Sequence, residues 1–487
     1  MILLLLLIVP LLAGIGCFVV RSRRVMDGIT MLSAAILLVL GLVVAAQVLS
    51  SDSISLFGAF FYADALSSVV ILVIVTVGFT TSLFSIGYMR HQPATETLST
   101  RSLDSYYVLF HAFMLAMLIV PVANSLGIMW MAIEATTLAS ALLVALYGTP
   151  EALEAAWKYV IVASVGIALA LFAVVLTYYA GIHALGAGNS DLNWTTLMPA
   201  AARLDPRIMK LVFILALIGF GTKAGLAPMH TWLPDAHSEA PVPISALLSG
   251  VLLSLALYAI LRFYALAVRA LGHPYPSHLL LAFGLFSLLI AMLFILRQTD
   301  YKRLLAYSSV EHMGIIATGF AFGGPLATYG ALLQMLNHAI VKSLMFFAVG
   351  NVLLKYGSKD IKDVSGLIRV NPFAAATFVI GGFALIGSPP FNTFISELAI
   401  FAGGFKSGNA TATVIMIIFL AVIFVGFMQY VNSMVFGVKP ARILVSATNS
   451  WIVAAFVCGL IPIIVLGLYV PGALNDLVRH AALVLGT

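Results

Sequence analysis

The chain has 487 residues, 62% of them hydrophobic and 9% charged, with a formal net charge of +6 and a mean hydropathy of +1.12. Eighteen Asp and Glu with 24 Lys and Arg are too few to coat a soluble body of this size. The excess of cations is accounted for by membrane-loop charge, so it does not imply nucleic-acid binding, and two cysteines, Cys17 and Cys458, cannot supply an iron–sulfur cluster or a Cys-rich zinc site.

Apolar runs of about 20 residues match a hydrocarbon core of roughly 30 Å. Lipid offers backbone groups no partner, so a spanning chain is either helical or a closed barrel. The runs here are uninterrupted rather than alternating, which predicts an all-α polytopic membrane protein. In chain order the predicted spans are 1–20, 29–49, 65–88, 107–123, 125–147, 156–180, 209–227, 243–268, 277–296, 303–322, 326–354, 372–403, 412–437 and 450–471. The first lacks a charged leader and a small-residue cleavage site, and its basic cluster, Arg21, Arg23 and Arg24, follows the apolar run. It reads as a retained helix starting outside. Loops on the inner side, with Arg90, Arg101, Lys302, Arg303 and Arg442 among their cations, then carry about twice the Lys and Arg of the outer set, predicting N-out and C-out.

Spans 7 and 12 look broken. The seventh runs into Gly-Leu-Ala-Pro228, and the twelfth contains Gly387-Ser-Pro-Pro-Phe391. Proline removes a helix hydrogen bond and clashes with the preceding turn. Interrupted helices in corresponding places suggest an inverted repeat with a site between the halves. The expected organisation is helices 1–3 in 1–106, a first five-helix repeat in 107–268, a second, inverted one in 277–437, and a last helix at 450–471.

Charged residues inside spans carry the chemistry: Glu134, Lys158, Lys223, Glu311, Lys342 and Glu397. Six central, unpaired charges would cost on the order of 15–21 kcal/mol, which a scaffold could avoid with leucine. Their places repeat every five spans: Glu134 answers to Glu311, Lys158 to His338 and Lys342, and Lys223 to Glu397. His338 and Lys342 are four apart and share a helix face, as do Glu154 and Lys158. A buried Lys can pass a proton when desolvation and a nearby Glu pull its pKa in opposite directions. Static ion pairing is the competing reading. His230, Asp235 and His237, between spans 7 and 8, fit a proton entry or loop-to-helix hydrogen bonds. His111 and His312 read as hydrogen-bonded interior histidines.

These stretches resemble the antiporter-like subunits of respiratory complex I, Mrp sodium/proton antiporters and membrane-bound hydrogenases. The matching segments are Asp64-Ala-Leu-Ser67, Met131-Ala-Ile-Glu134, the run from Gly221 to His237, Asp300 to Ser309, Asn337-His-Ala-Ile-Val-Lys342, Ser388-Pro-Pro-Phe391 and Ser396-Glu397. The segments Glu151 to Tyr159 and Ser309-Val-Glu-His-Met-Gly314 look like the hydrogenase-4 component F proteins and their formate hydrogenlyase relatives. The resemblance implies a Glu134–Lys223 pump pair, Lys342 as central relay and Glu397 as terminal relay. It also implies a subunit without a redox cofactor, working beside other membrane subunits and peripheral hydrogenase subunits that carry nickel–iron and iron–sulfur centres. The expected home is a bacterial or archaeal cytoplasmic membrane. One departure matters: complex I relatives commonly have a Lys or His in span 8, where this chain offers serines such as Ser249 and Ser254. Water would have to fill that gap, with Ser254 orienting it. The rival readings are a subunit of a complex I-like dehydrogenase or of an ion-coupled inorganic-carbon uptake complex, and, from another class, a non-conducting scaffold.

Overall fold

The computed structural model describes residues 1–20, 22–91, 100–186, 191–441, 443 and 448–486. Arg21 and Arg442, two of the loop cations, lie outside them, as does the side chain of Arg101. The chain opens with α1 (Ile2–Val19) and α2 (Arg23–Ser51), then a hairpin of β1 (Ser53–Leu56) and β2 (Phe61–Asp64) in antiparallel register, Ser53 opposite Asp64. Next come α3 (Ala65–Met89), α4 (Thr100–Val122), α5 (Leu126–Val144), α6 (Pro150–Leu185), the short α7 (Trp194–Ala200) and α8 (Pro206–Ala224). After a linker follow α9 (Trp232–Glu239), α10 (Val242–Leu247), a π-helical turn (Leu248–Leu252) and α11 (Leu253–Leu271), the last three making one span. The second half holds α12 (Pro274–Ile295), α13 (Tyr301–Phe322), α14 (Gly324–Tyr356), the short α15 (Leu367–Val370), α16 (Pro372–Leu385), α17 (Asn392–Lys406) and α18 (Ala410–Phe436). The chain closes with α19 (Ser450–Leu468) and α20 (Gly472–Val484).

Local sequence sets these boundaries. The Thr149 hydroxyl accepts from Ala152 N at 3.1 Å with Pro150 beside it, and Asp300 accepts from Lys302 N and Arg303 N at the start of α13. Eleven helices among the described residues are long and apolar enough to cross a bilayer. The expected fourteen include three more. The seventh, α8, carries Arg207, Lys210 and Lys223; the tenth, α13, is diluted by Ser308, Ser309, Glu311 and His312; the twelfth is split into α16 and α17.

The span from α10 to α11 and helix α14 are buried throughout their apolar windows and form the centre, while α1, α12 and α18 are peripheral. Helix α6 packs on α8 in the first half as α14 packs on α17 in the second. Small residues make both contacts close: a Cβ at Gly219 would lie 2.6 Å from Ala170 N, and one at Gly330 2.9 Å from Ile400 N.

Both predicted breaks are present and alike. Helix α8 stops at Gly225 (φ +74°), three residues before Pro228 of the cis Ala227–Pro228 bond. Past the end of α16, Gly387 (φ +68°) stands three residues before Pro390 of the cis Pro389–Pro390 bond. In each, the following helix reaches back: Trp232 Nε1 donates to Thr222 O (2.8 Å), and the Thr393 hydroxyl donates to Ala384 O. These contacts satisfy carbonyls that the breaks leave free.

Candidate functional site: a buried polar axis between the two breaks

The site starts at the end of α8. Lys223 is fully buried, and its ammonium donates to the hydroxyls of Thr137 and Tyr159, both at 2.6 Å. The Thr137 hydroxyl in turn donates to Glu134 Oε2 at 3.1 Å. Glu134 and Lys223 are therefore joined through one hydroxyl rather than in direct contact. Glu134 is only half-buried, on a face of α5 that also shows Met131 and Leu138. Tyr159 is further fixed by Ser140 (2.8 Å) and by stacking on Trp232, with ring centroids 4.5 Å apart.

Trp232 begins α9, which carries His237 on toward the centre. His237 Nδ1 lies 2.8 Å from Leu233 O, while its buried Nε2 has no partner among the described residues. His237 sits 5.9 Å from the Phe346 ring of α14, one turn beyond Lys342. His230, in the linker, also has a buried, unpartnered Nδ1. Buried polar atoms of this kind are ordinarily satisfied by water.

The second half is denser. Lys342, fully buried, donates to Leu305 O at 2.7 Å and lies within electrostatic reach of Glu311 on α13. Glu311 Oε2 has no hydrogen-bond partner among the described residues. One turn before Lys342, His338 Nε2 is 3.2 Å from Ser249 O, at the π turn, and its ring is 4.8 Å from that of His312. His312 Nδ1 is 3.0 Å from Gln334 Nε2, and its Nε2 is 3.0 Å from Leu385 O at the edge of the second break. Gln334 Nε2 donates to Glu397 Oε1 at 3.3 Å, and Ser396 holds the Gln334 carbonyl. The Glu397 carboxylate lies on Gly387, where a Cβ would fall 2.0 Å from Oε2.

Two expected members stand elsewhere. Lys158 is half-exposed and pairs with Glu154 (2.6 Å) and Asp235 (3.3 Å). Helix α6 begins earlier than predicted, which puts this turn near its polar end. Asp235 also meets Arg303 at 2.5 Å, Ser238 donates to Asp300 (2.7 Å), and Lys302 Nζ donates to Ser238 O and Ala240 O (2.6 and 2.7 Å). The start of α13 thus grips α9. Ser254 donates to Gly250 O in its own helix at 3.3 Å and has no hydrogen bond to either lysine. His111, meeting Thr30 Oγ1 at 3.1 Å, is an interior histidine as expected. His312 is more than that, because it touches both His338 and Gln334. Sequence reasoning passed over Thr137, Tyr159 and Gln334, which are neutral; the available signal was spacing, since Gln334, His338 and Lys342 recur every four residues on one face. Among the described residues no group of three or more His, Cys, Asp or Glu is placed to hold a metal.

A polytopic helical membrane protein, with two matching helix breaks and ionisable groups buried between them, is the class this architecture defines. The chain belongs to the NADH:quinone oxidoreductase/Mrp antiporter transmembrane family, whose model matches residues 123–424, and residues 57–97 match the complex I chain 5 N-terminus. It is 44% identical over 348 residues to the hydrogenase-4 component F homolog of Methylacidiphilum infernorum, covering 72% of this chain and 73% of that one. It is 34% identical to hydrogenase-4 component B of Escherichia coli over 69% of this chain, though the match spans only 49% of that relative. Among solved structures, a chain of the membrane-bound sulfane sulfur reductase, an archaeal respiratory membrane complex, superposes with a TM-score of 0.88 at 26% identity, covering 99% of this chain and 97% of that one. A chain of the Mrp complex from Dietzia sp. shares the fold, with a TM-score of 0.86 at 19% identity over 99% of this chain and 96% of that one. The protein is thus an antiporter-like membrane subunit of the kind found in complex I, Mrp and hydrogenase-type complexes.

Proposed function

We propose that the chain is the proton-translocating membrane subunit of a hydrogenase-type complex, coupling redox chemistry in partner subunits to ion movement. The observation that carries this reading is the run of contacts from His338, one turn before Lys342, through His312 and Gln334 to Glu397. One amide, which can donate and accept, joins its imidazoles to the terminal carboxylate. A scaffold would gain little from burying such groups, because a buried charge is weak as a source of stability. Glu134 and Lys223 form the driven end, His230 and His237 the entry, Lys342 with Glu311 the centre, and Glu397 the exit. Water is the link between Lys223 and His338, and Lys158 belongs to the surface tether. The likeness to hydrogenase-4 component F favours partners that hold nickel–iron and iron–sulfur centres. The repeats run over 107–268 and 277–437, and the chain lies in a cytoplasmic membrane with both termini outside.

The test is the assembled complex in sealed vesicles. Lys223→Ala should abolish turnover-driven proton uptake while the complex still assembles; full uptake by that variant would refute the assignment. Copurified subunits identified by mass spectrometry decide the partner: a nickel–iron large subunit supports the hydrogenase reading, and a carbonic-anhydrase-like subunit replaces it with carbon uptake.

A further inference from the structure

The central span, 242–271, is buried from Val242 to Val268, yet it carries polar side chains at nearly every turn: Ser245, Ser249, Ser254, Tyr258 and Arg262. The steps between them are four, five, four and four residues. Four residues return close to the same face of an α-helix, whereas five would swing about 140° away. The five-residue step crosses Leu248–Leu252, where the helix is π. A π turn accommodates one extra residue, so the stripe keeps its face. It starts where the Ser245 hydroxyl donates to His237 O (2.8 Å) and passes Ser249, 2.7 Å from the Ser309 hydroxyl. From Val242 to Arg262 the rise is roughly 30 Å, the thickness of a hydrocarbon core.

The far end of the stripe is closed. Arg262 is 3% exposed and meets Asp64 through two parallel hydrogen bonds, Nη1 to Oδ2 at 2.7 Å and Nη2 to Oδ1 at 2.8 Å. Its other donors reach the Ser67 hydroxyl (3.0 Å) and Tyr258 OH (2.9 and 3.0 Å), and Trp194 of α7 covers the guanidinium at 4.4 Å. Ser67 N also donates to Asp64 (2.9 Å), which fixes the carboxylate. One charged pair therefore joins the hairpin strand β2, the central helix and the α7 cap.

We propose that the Arg262–Asp64 pair is an electrostatic plug, which stops protons on the Lys223–Lys342 axis from leaking along the central helix to the membrane face opposite α9. This rests on the proton-translocating reading above. A guanidinium stays protonated at every physiological pH and offers five donors and no acceptor. It cannot take a proton from one side and hand it to the other, and its fixed charge repels hydronium, as arginines in selective pores do. Asp64 compensates that charge in an apolar site, and Tyr258 and Ser67 hold the fork in place. The plug leaves Glu397, in the other half, as the outlet that titrates.

The experiment uses the assembled complex in vesicles loaded with a pH-sensitive dye. A pH step imposed without redox substrate reads passive leak, and addition of substrate then reads driven uptake. Arg262→Gln should dissipate the step severalfold faster than wild type, and Arg262→Lys, which keeps the charge, should hold it. The double variant Asp64→Asn with Arg262→Gln leaves no unpaired buried charge, so it guards against failed assembly, and it too should leak. An assembled double variant as tight as wild type overturns the plug. Wild type that takes up no more protons on turnover than Lys223→Ala would instead overturn the translocation reading, whatever the leak.

Discussion

Lys223 on α8 and Lys342 on α14 are both fully buried, yet their surroundings differ. Lys223 is held by two neutral hydroxyls, and its carboxylate, Glu134, stands one hydroxyl away on a half-buried face. Lys342 donates to one backbone carbonyl and is followed by a sealed run of imidazole, amide and carboxylate groups. The first half sets its buried ammonium beside a half-buried carboxylate at the periphery. The second lines up titratable groups through its interior. A hydroxyl or an amide can orient a proton without keeping it, so the neutral residues decide where charge rests.

The largest effect expected from breaking this contrast is at the exit. Glu397→Gln keeps the shape and the contact with Gln334 but cannot titrate, so turnover-driven uptake in vesicles should vanish while assembly persists. Next comes His312→Phe, which removes the imidazole between His338 and Gln334; uptake should fall about a hundredfold, in line with loss of a positioned proton carrier. His111→Phe, in the N-terminal helices, serves as the control and should leave uptake near wild type. Tyr159→Phe removes one of the two acceptors of Lys223. A buried ammonium short of a partner costs about 1–3 kcal/mol, so a loss of uptake of roughly fivefold to a hundredfold is expected, well short of Lys223→Ala. Gly219→Val wedges α8 from α6 at an overpacking cost of about 1–3 kcal/mol and should lower the thermal midpoint of the purified complex. The smallest effect is at Lys158→Ala, where uptake should remain close to wild type. A large loss there would return Lys158 to the axis and undo the distinction between tether and relay.

Much of this was legible because lipid is a strict solvent. The apolar runs located the helices, and proline beside glycine located both breaks, since Pro228 and Pro390 cannot continue a helix. The buried charges were visible as exceptions to the apolar pattern. The Glu154–Lys158 spacing was legible as a pair, but the half-exposed setting of Lys158 was not, because hydropathy does not mark where a long helix leaves the hydrocarbon: α6 runs 36 residues, roughly 54 Å. Helix α20 went unseen because its mixed segment, Asn475-Asp-Leu-Val-Arg-His480, has no apolar run, though Leu477, Val478, Ala481 and Ala482 are buried. Ser254 looked like a water holder, yet an isolated hydroxyl in a helix readily turns back on its own carbonyl. Gln334 and Tyr159 were silent because nothing in a neutral side chain announces which charge it will meet.

The half-buried position of Glu134 also bears on how the subunit is made. Around it, α5 shows Met131, Leu138 and Leu142, each more than half exposed, so an acid group sits in a greasy surface. A newly inserted copy with no neighbour would present that acid to acyl chains, where a centrally placed charge costs about 2.5–3.5 kcal/mol. If that cost exposes an orphan copy to membrane quality control, it should be degraded faster than an assembled one. Pulse-chase of the chain expressed alone, with Glu134→Leu alongside, would read it: the leucine version should outlive the natural chain when solitary and gain nothing once assembled.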